Sequence, residues 1–424
     1  MSATPHIEID IIELGSRGDG IGYYNGLTVF VPYTIPGDRV LVCIDEHKSD
    51  RLSGKFLQLL NASSIRVESV CRHFGKCGGC GLQHLDDVVY KKWKHELLIN
   101  ALHRIGFYEN VVMPMISVVP GNRRRAIFTF QRQNFKVLIG FYARASNQII
   151  DIIECQLFDK SLIDLLEPLR ALLIKLINNE LRGRVIVTAT EFGLDVIIEG
   201  EAQLNLSNRN LLTIFAEDTN LARLSWRWSI SKIIELIIHR CDVLVNFSGI
   251  MVDLPPGAFL QPSIEGERIL VSLIINATGS VDAIADLFAG CGSFTFPLAN
   301  NKVFVHAVDK NVSAIMALKS AAKHNNVSRV SVECRDLSRR PLLFNELKYF
   351  NAVVLDPPRI GAVKQVEQLI KTDISLIVVV SCNPVTFARD AKILVDGGYN
   401  LTYATPIDQF PWSYHLEIVA IFER

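Results

Sequence analysis

The segment Ser381-Cys382-Asn383-Pro384 puts a thiol, an amide and a proline directly after the apolar, β-branched run 377–380. That run has the length of a buried strand. Pro384 disfavours helical geometry at Asn383, so the chain must turn there, and a helical pattern resumes over 385–395. Cys382 is therefore expected at the carboxyl end of a strand, the edge at which open α/β sheets bind ligands. A thiolate there is a nucleophile. Taken alone, a strand-end cysteine reads more simply as a small buried apolar side chain, so the rest of the chain must decide.

A second concentration of thiols lies in CRHFGKCGGCGLQ at 71–83, where Cys71, Cys77 and Cys80 fall within ten residues among glycines. Thiolates that converge on one centre need a backbone able to fold closely around it, which glycine permits. Cys155 is the expected fourth ligand. Zinc would call for a second close pair or for histidines at short spacing, so an iron–sulfur cluster is the favoured reading. Nine cysteines, odd in number and unevenly spaced, read as reduced thiols of a cytosolic protein rather than a disulfide framework.

Three strand-end acids accompany a glycine loop further on. The strand 283–288 runs into Ala289-Gly290-Cys291-Gly292-Ser293-Phe294, and a second strand, 303–308, ends at Asp309. In such a βαβ unit the glycines let a cofactor approach the backbone and the acid holds ribose hydroxyls. Asp336 follows a third strand, at the position for an adenine amine, and Asp356 follows a fourth. One strand-end Asp alone is a helix cap; three beside a glycine loop point to a nucleoside cofactor. The loop is not G-x-G-x-x-G, which argues against a dinucleotide.

The elements that must hold these groups fall into three expected domains. Residues 1–62 alternate and turn as a small β-barrel of about five strands, with a hairpin at Asn25-Gly26. Arg17, Tyr23, Tyr24, Lys48 and Arg51 are its candidate RNA contacts. Residues 63–250 form a mixed α and β domain, with helices expected over 90–105 and 162–178. Arg123-Arg124-Arg125 enters a strand there and reads equally as a phosphate contact or as an ordinary basic strand end. Residues 251–424 form the α/β domain. The chain carries 44 basic and 44 acidic residues, which argues against unspecific coating of polyanions. It contains no apolar stretch of membrane-spanning length, and Met1 to Glu8 lacks a signal-peptide pattern, so a cytoplasmic protein is expected.

Taken with PGAFLQP at 256–262, DLFAGCGSFTFPLA at 286–299, DPPRIG at 356–361 and HLE at 415–417, these motifs resemble the RNA 5-methyluridine methyltransferase family. The resemblance is to its 23S rRNA branch, with an N-terminal TRAM barrel and a 4Fe-4S cluster. It implies an S-adenosylmethionine-dependent enzyme with a Rossmann-like domain and methylation of uridine carbon 5. Cys382 would form a covalent bond to uracil carbon 6, with Glu417 as general base. Gln261, Phe288, Ser293, Asp309, Asp336 and Asp356 fall at cofactor-contacting positions, with Asp356 also facing substrate. Phe259 falls where a side chain packs on the target base, and Cys71, Cys77, Cys80 and Cys155 at the cluster ligands. The resemblance also implies that part of 87–154 packs on the methyltransferase domain.

The sequence departs from the family pattern at three places. Asp309 stands where glutamate is usual, Ser293 where asparagine is common, and Gln-Pro-Ser where Gln-Val-Asn is more usual. RNA is the expected partner, 23S rRNA first, with no membrane and no obligate protein partner. Two other readings remain open, the same reaction on a tRNA uridine and a non-catalytic RNA-binding protein. A radical enzyme fits less well, because the C-x5-C-x2-C spacing and Cys155 leave no iron open.

Overall fold

A computed structural model of the chain describes residues 6–48, 51–107, 109–176, 182–201, 203–229, 233–279 and 281–424. Six strands between His6 and Asn61 form one sheet. His6–Asp10 alternates exposed and buried side chains and pairs antiparallel with Arg39–Lys48. The hairpin turns at Asn25 and Gly26, both at positive φ (49° and 78°), as the type I′ turn requires. Ile7, Ile9, Val29, Val31, Val40 and Val42 fill the interior. The strand beyond the expected five is Glu13–Leu14, too short to leave an alternation signal in sequence.

A seven-stranded sheet makes up the middle of the molecule, with Arg125–Gln133 between Lys136–Tyr142 and Arg182–Thr190. Phe128, Phe130, Val185 and Val187 point from it into a core shared with Lys160–Asp164, Leu166–Leu176 and Leu206–Asp218. The helix expected over 162–178 is thus two helices that break at Leu165, and its expected end lies outside the described residues.

The third sheet has eight strands: β1 (Ile116–Ser117), β2 (Ala283–Leu287), β3 (Phe304–Asp309), β4 (Val330–Cys334), β5 (Ala352–Leu355), β6 (Leu376–Ser381), β7 (Asn400–Asp408) and β8 (Glu417–Glu423). Their order is β4-β3-β2-β5-β6-β8-β7-β1. The first five in that order are parallel, and β8 is inserted antiparallel to both β6 and β7. Parallel strands covered on both faces read as unbroken apolar runs. Accordingly every residue of β5 and β6 is buried.

Residues N-terminal to this domain complete it. α1 (Asp87–His103) starts three residues earlier than its apolar pattern suggests, because the Asp86 side chain caps the Val88 and Val89 N–H groups. Leu98 and Leu102, both fully buried, join the core of the third sheet, and β1 extends its edge. The strands from Arg125 to Asp151 belong to the middle sheet instead. A small core of Ile35, Leu82, Leu85, Tyr90 and Trp93 joins the barrel, the cysteine segment and α1. Among the described residues no helix is long and apolar enough to cross a membrane.

One buried charge pair fastens α1 to the end of β7. Lys94 is fully buried; its ammonium pairs with Asp408 and donates to the Tyr90 hydroxyl (3.0 Å) and the Phe410 carbonyl (2.9 Å). Burial holds the Lys94 pKa down at about 8, against the pull of Asp408. Removing one member of a buried pair strands the other. Lys94→Met is expected to cost about 3 kcal/mol in denaturant unfolding, the low end for a broken buried pair, since Asp408 keeps the Tyr90 donor. Adding Asp408→Asn is expected to recover part of the loss.

Candidate active site

The carboxyl ends of β2, β3, β5 and β6 open on one cavity of ≈ 700 Å³. It lies where the strand order reverses between β2 and β5, the place at which open α/β sheets take ligands. Phe288, Gly290, Asp309, Asp356 and Cys382 line it from those ends. Phe259 and Gln261 line it from the loop before α2 (Ile264–Thr278), and Glu417 from the start of β8.

The loop after β2 is shaped by backbone conformation. Phe288 and Gly290 lie at positive φ, 68° and 56°. A Cβ added at Gly290 would meet nothing within 4 Å, so the backbone faces the open cavity and a ligand can approach it closely. Gly290 N–H donates to Asp309 Oδ2 (3.1 Å), and Asn311 N–H to Oδ1 (2.7 Å). Asp309 is therefore fixed at the glycine loop. Two other expected contacts do not reach the cavity. Ser293 does not line it, and Asp336 turns back on its own loop, accepting from the Ser338 N–H (3.1 Å) and facing Arg339; Ser338 lines the cavity there instead.

Cys382 and Glu417 meet through sheet register. Ser381 of β6 pairs with Ile418 of β8, so one step further Cys382 stands opposite Glu417. Cys382 is half-buried. Its pKa is pushed up to about 11 by burial first, then by Glu417 and Asp356, with Arg359 acting the other way. Burial raises the Glu417 carboxyl to about 7, opposed by a hydrogen bond from Gln409 and by Arg359. Asp356 is raised well above the carboxylate range by burial and by Glu417, Asp286 and Asp309. His415 is held near 4 by burial and by Arg359, Lys94 and Arg123, so it is neutral at pH 7. A thiol, a carboxyl whose pKa lies near neutrality and a glycine loop thus share one pocket.

Two further groups border this arrangement, neither singled out from the sequence. Gln409 follows β7 and donates to Glu417 Oε2 (2.8 Å). Arg359, within DPPRIG, contacts His415 (3.4 Å). The arginine triplet divides. Arg124 is buried, pairing with Glu267 (2.6 Å) and donating to the Gln261 carbonyl (3.1 Å), so it serves the fold and not a phosphate. Arg123 and Arg125 line the cavity. On the barrel Arg17, Tyr23 and Arg51 are exposed, Tyr24 packs against the interior, and the Lys48 side chain lies outside the described residues.

Cys71, Cys77, Cys80 and Cys155 line the far end of the same cavity. The loop is pinned from several sides. Gly78 N–H donates to the Tyr142 carbonyl (2.9 Å), Ile153 N–H to His73 (3.3 Å), and Gly81 N–H to the Trp412 carbonyl (2.9 Å). Burial pushes Cys80 up to about 12 and Cys155 up to about 11, with the neighbouring thiols adding to it. Among the described residues no three of His, Cys, Asp and Glu stand close enough together to hold a single metal ion. The four thiols line one cavity, and the Gly79 N–H donates to Cys77 Sγ (3.4 Å).

Fold and site together define a Rossmann-like methyltransferase built on an RNA-binding frame. Residues 242–424 match the tRNA (Uracil-5-)-methyltransferase family, and residues 6–57 match the TRAM domain. An uncharacterized RNA methyltransferase of Brucella melitensis is 39% identical over 100% of this chain and 99% of its own length. The 23S rRNA (uracil(1939)-C(5))-methyltransferase RlmD of Shewanella woodyi is 30% identical over 98% and 96%. Among solved structures, the Pyrococcus abyssi tRNA (uracil-54, C5)-methyltransferase in complex with S-adenosyl-L-homocysteine matches with a TM-score of 0.75 and 25% identity, covering 98% of this chain and 100% of that one. The chain belongs to the S-adenosylmethionine-dependent RNA (uracil-5-)-methyltransferase family.

The glycine loop offers a direct check of where the cofactor lies. Gly290→Val adds a β-branched side chain at positive φ and pushes it into the cavity. S-adenosylhomocysteine affinity measured by calorimetry is expected to fall by at least about tenfold, roughly 1.4 kcal/mol, with the folded state retained by circular dichroism.

Proposed function

We propose that the protein methylates carbon 5 of one uridine in 23S rRNA through a covalent Cys382–uracil intermediate, with Glu417 removing the carbon-5 proton. The observation that carries this reading is the β6–β8 register, which sets Cys382 and Glu417 opposite each other beside the glycine loop. Carbon 5 of uracil is a poor nucleophile. Cys382 reacts as its thiolate: bonding of Sγ to carbon 6 breaks the carbon 5–carbon 6 double bond and sends its electron pair to the O4 enolate, which is nucleophilic at carbon 5. A soft sulfur suits both addition and later departure.

Bound S-adenosylmethionine supplies the electrophilic methyl group. Gln261, Phe288, Asp309 and Asp356, which line the cavity, would hold it, and Ser293 and Asp336 stand in the loops beside them. Glu417 then takes the carbon-5 proton, the electron pair re-forms the ring double bond, and Cys382 leaves as thiolate. Phe259, at 64% exposed, is available to pack on the target base. That base must leave its stack to enter the cavity.

Cys382→Ala is expected to abolish methylation while RNA binding by gel shift changes little. Glu417→Gln is expected to keep the addition step and block proton removal, giving a covalent protein–RNA band on a denaturing gel. The ionised carboxylate is the active form, so wild-type turnover should fall as pH drops below about 7. Retention of methyl transfer by Cys382→Ala would end this reading.

The full-length relative acting on 23S rRNA supports rRNA as substrate. The structural similarity to a tRNA-modifying enzyme supports a second reading, the same reaction on a tRNA uridine. Mass mapping of rRNA and tRNA from cells lacking the protein separates the two by which molecule loses a methyl group.

The four cysteines are proposed to hold a 4Fe-4S cluster that anchors the loop and carries no electron in the reaction. Anaerobically purified protein is expected to contain about four irons per chain. Cys155→Ser should lower that content and the cluster's visible absorbance, measured without reference to turnover.

A further inference from the structure

We propose that Gln409 is the positioning residue for Glu417, holding the carboxylate in the orientation and charge state in which it removes the carbon-5 proton. This rests on the reading of Glu417 as the base. Gln409 is buried directly beyond β7. Its amide nitrogen donates to Glu417 Oε2 (2.8 Å) and to Gln261 Oε1 (3.2 Å), which uses both N–H groups. Gln261 in turn donates its own amide to Asp356 Oδ2 (3.4 Å). Two glutamines therefore bridge the two buried carboxylates of the site.

The ends of this bridge set its direction. An ionised carboxylate only accepts, so Gln409 must turn its NH₂ to Glu417. Gln261 must then offer oxygen to Gln409 and nitrogen to Asp356. The Gln409 donor thus meets Glu417 as an acceptor, and hydrogen bonding to the charged form of that carboxyl favours it. The groups facing Glu417 are otherwise mostly adverse. Cys382 lies opposite on β6 and Asp356 beyond β5, and both add negative charge when ionised; Arg359 is the opposing cation.

Two features argue against a merely structural glutamine. Its Oε1 is buried without a hydrogen-bond partner among the described residues, a cost that an apolar side chain of similar size would avoid. The first turn of α2 also makes room for that oxygen. A Cβ added at Gly266 would lie 2.5 Å from Gln409 Oε1.

The test is Gln409→Leu, with Gly266→Ala as a second variant that crowds the amide without removing it. Gln409→Leu is expected to stay folded by circular dichroism: it removes the unpaired carbonyl but leaves Glu417 and Gln261 each short of a donor. The acidic limb of its turnover–pH profile should move up by about one pH unit. Covalent protein–RNA adduct should accumulate, while single-turnover transfer of labelled methyl into that adduct keeps its wild-type rate. Gly266→Ala should move the same limb by a smaller amount. An unmoved limb and no adduct in Gln409→Leu, with Glu417→Gln trapping adduct in the same assay, would overturn the role of Gln409 alone. Full turnover by Glu417→Gln would instead remove the base reading and this inference with it.

Discussion

The antiparallel insertion of β8 beside β6 is the constraint on which the site depends. In a sheet the side-chain period is two, so a shift of one residue would turn Glu417 away from the cavity and put Ile418 in its place. The register is held because both faces are packed, so a one-residue slip would exchange the side chains of two different cores. Every residue of β8 from Glu417 to Phe422 is buried, as is all of β6, and Val378, Val380, Val419 and Ile421 pack in one core. Burying each such side chain contributes roughly 1.5–3 kcal/mol. A polar carboxyl, Glu417, is thus carried at the start of an apolar strand whose packing fixes its position.

The loop leading into β8 is restrained with equal care. The Trp412 carbonyl accepts from Gly81 and Leu82, and its N–H donates to the Tyr90 hydroxyl. Lys94 holds Asp408 and the Phe410 carbonyl from the other side. The cysteine segment and α1 therefore serve as a back wall for residues 408–417, although they lie more than 300 positions earlier in the chain. Such distant anchoring suits a site whose carboxyls are costly to bury. Glu417, Asp356 and Asp286 are all displaced upward by burial, and only a rigid surround keeps such groups from swinging out to water.

Much of this was legible in the residues. Thiol spacing at 71–83, the glycine loop at 289–294 and the strand-end acids carry signal because their chemistry is local. Each needs a particular residue type at a particular turn. Gln409 and Lys94 left no such mark. A glutamine after a strand and a lysine within a helix are ordinary surface residues until a partner far along the chain covers them. Asp336 sits in the expected loop, where local hydrogen bonding turns its carboxylate onto the Ser338 N–H. Arg124 resembled a phosphate contact only because its partner, Glu267, is 143 residues away.

The sequence by itself determined the class of chemistry. It settled which elements alternate, where the chain must turn, and which thiols, acids and glycines stand at strand ends. Those follow from backbone sterics and from hydrophobic periodicity, both of which act over a few residues. Only the tertiary structure decided that Cys382 faces Glu417, that two glutamines bridge the carboxylates, and that helix α1 packs into the core of a sheet most of whose strands lie far later in the chain. Those outcomes depend on strand order and on desolvation, and the residues that desolvate one another are brought together only by the packed fold.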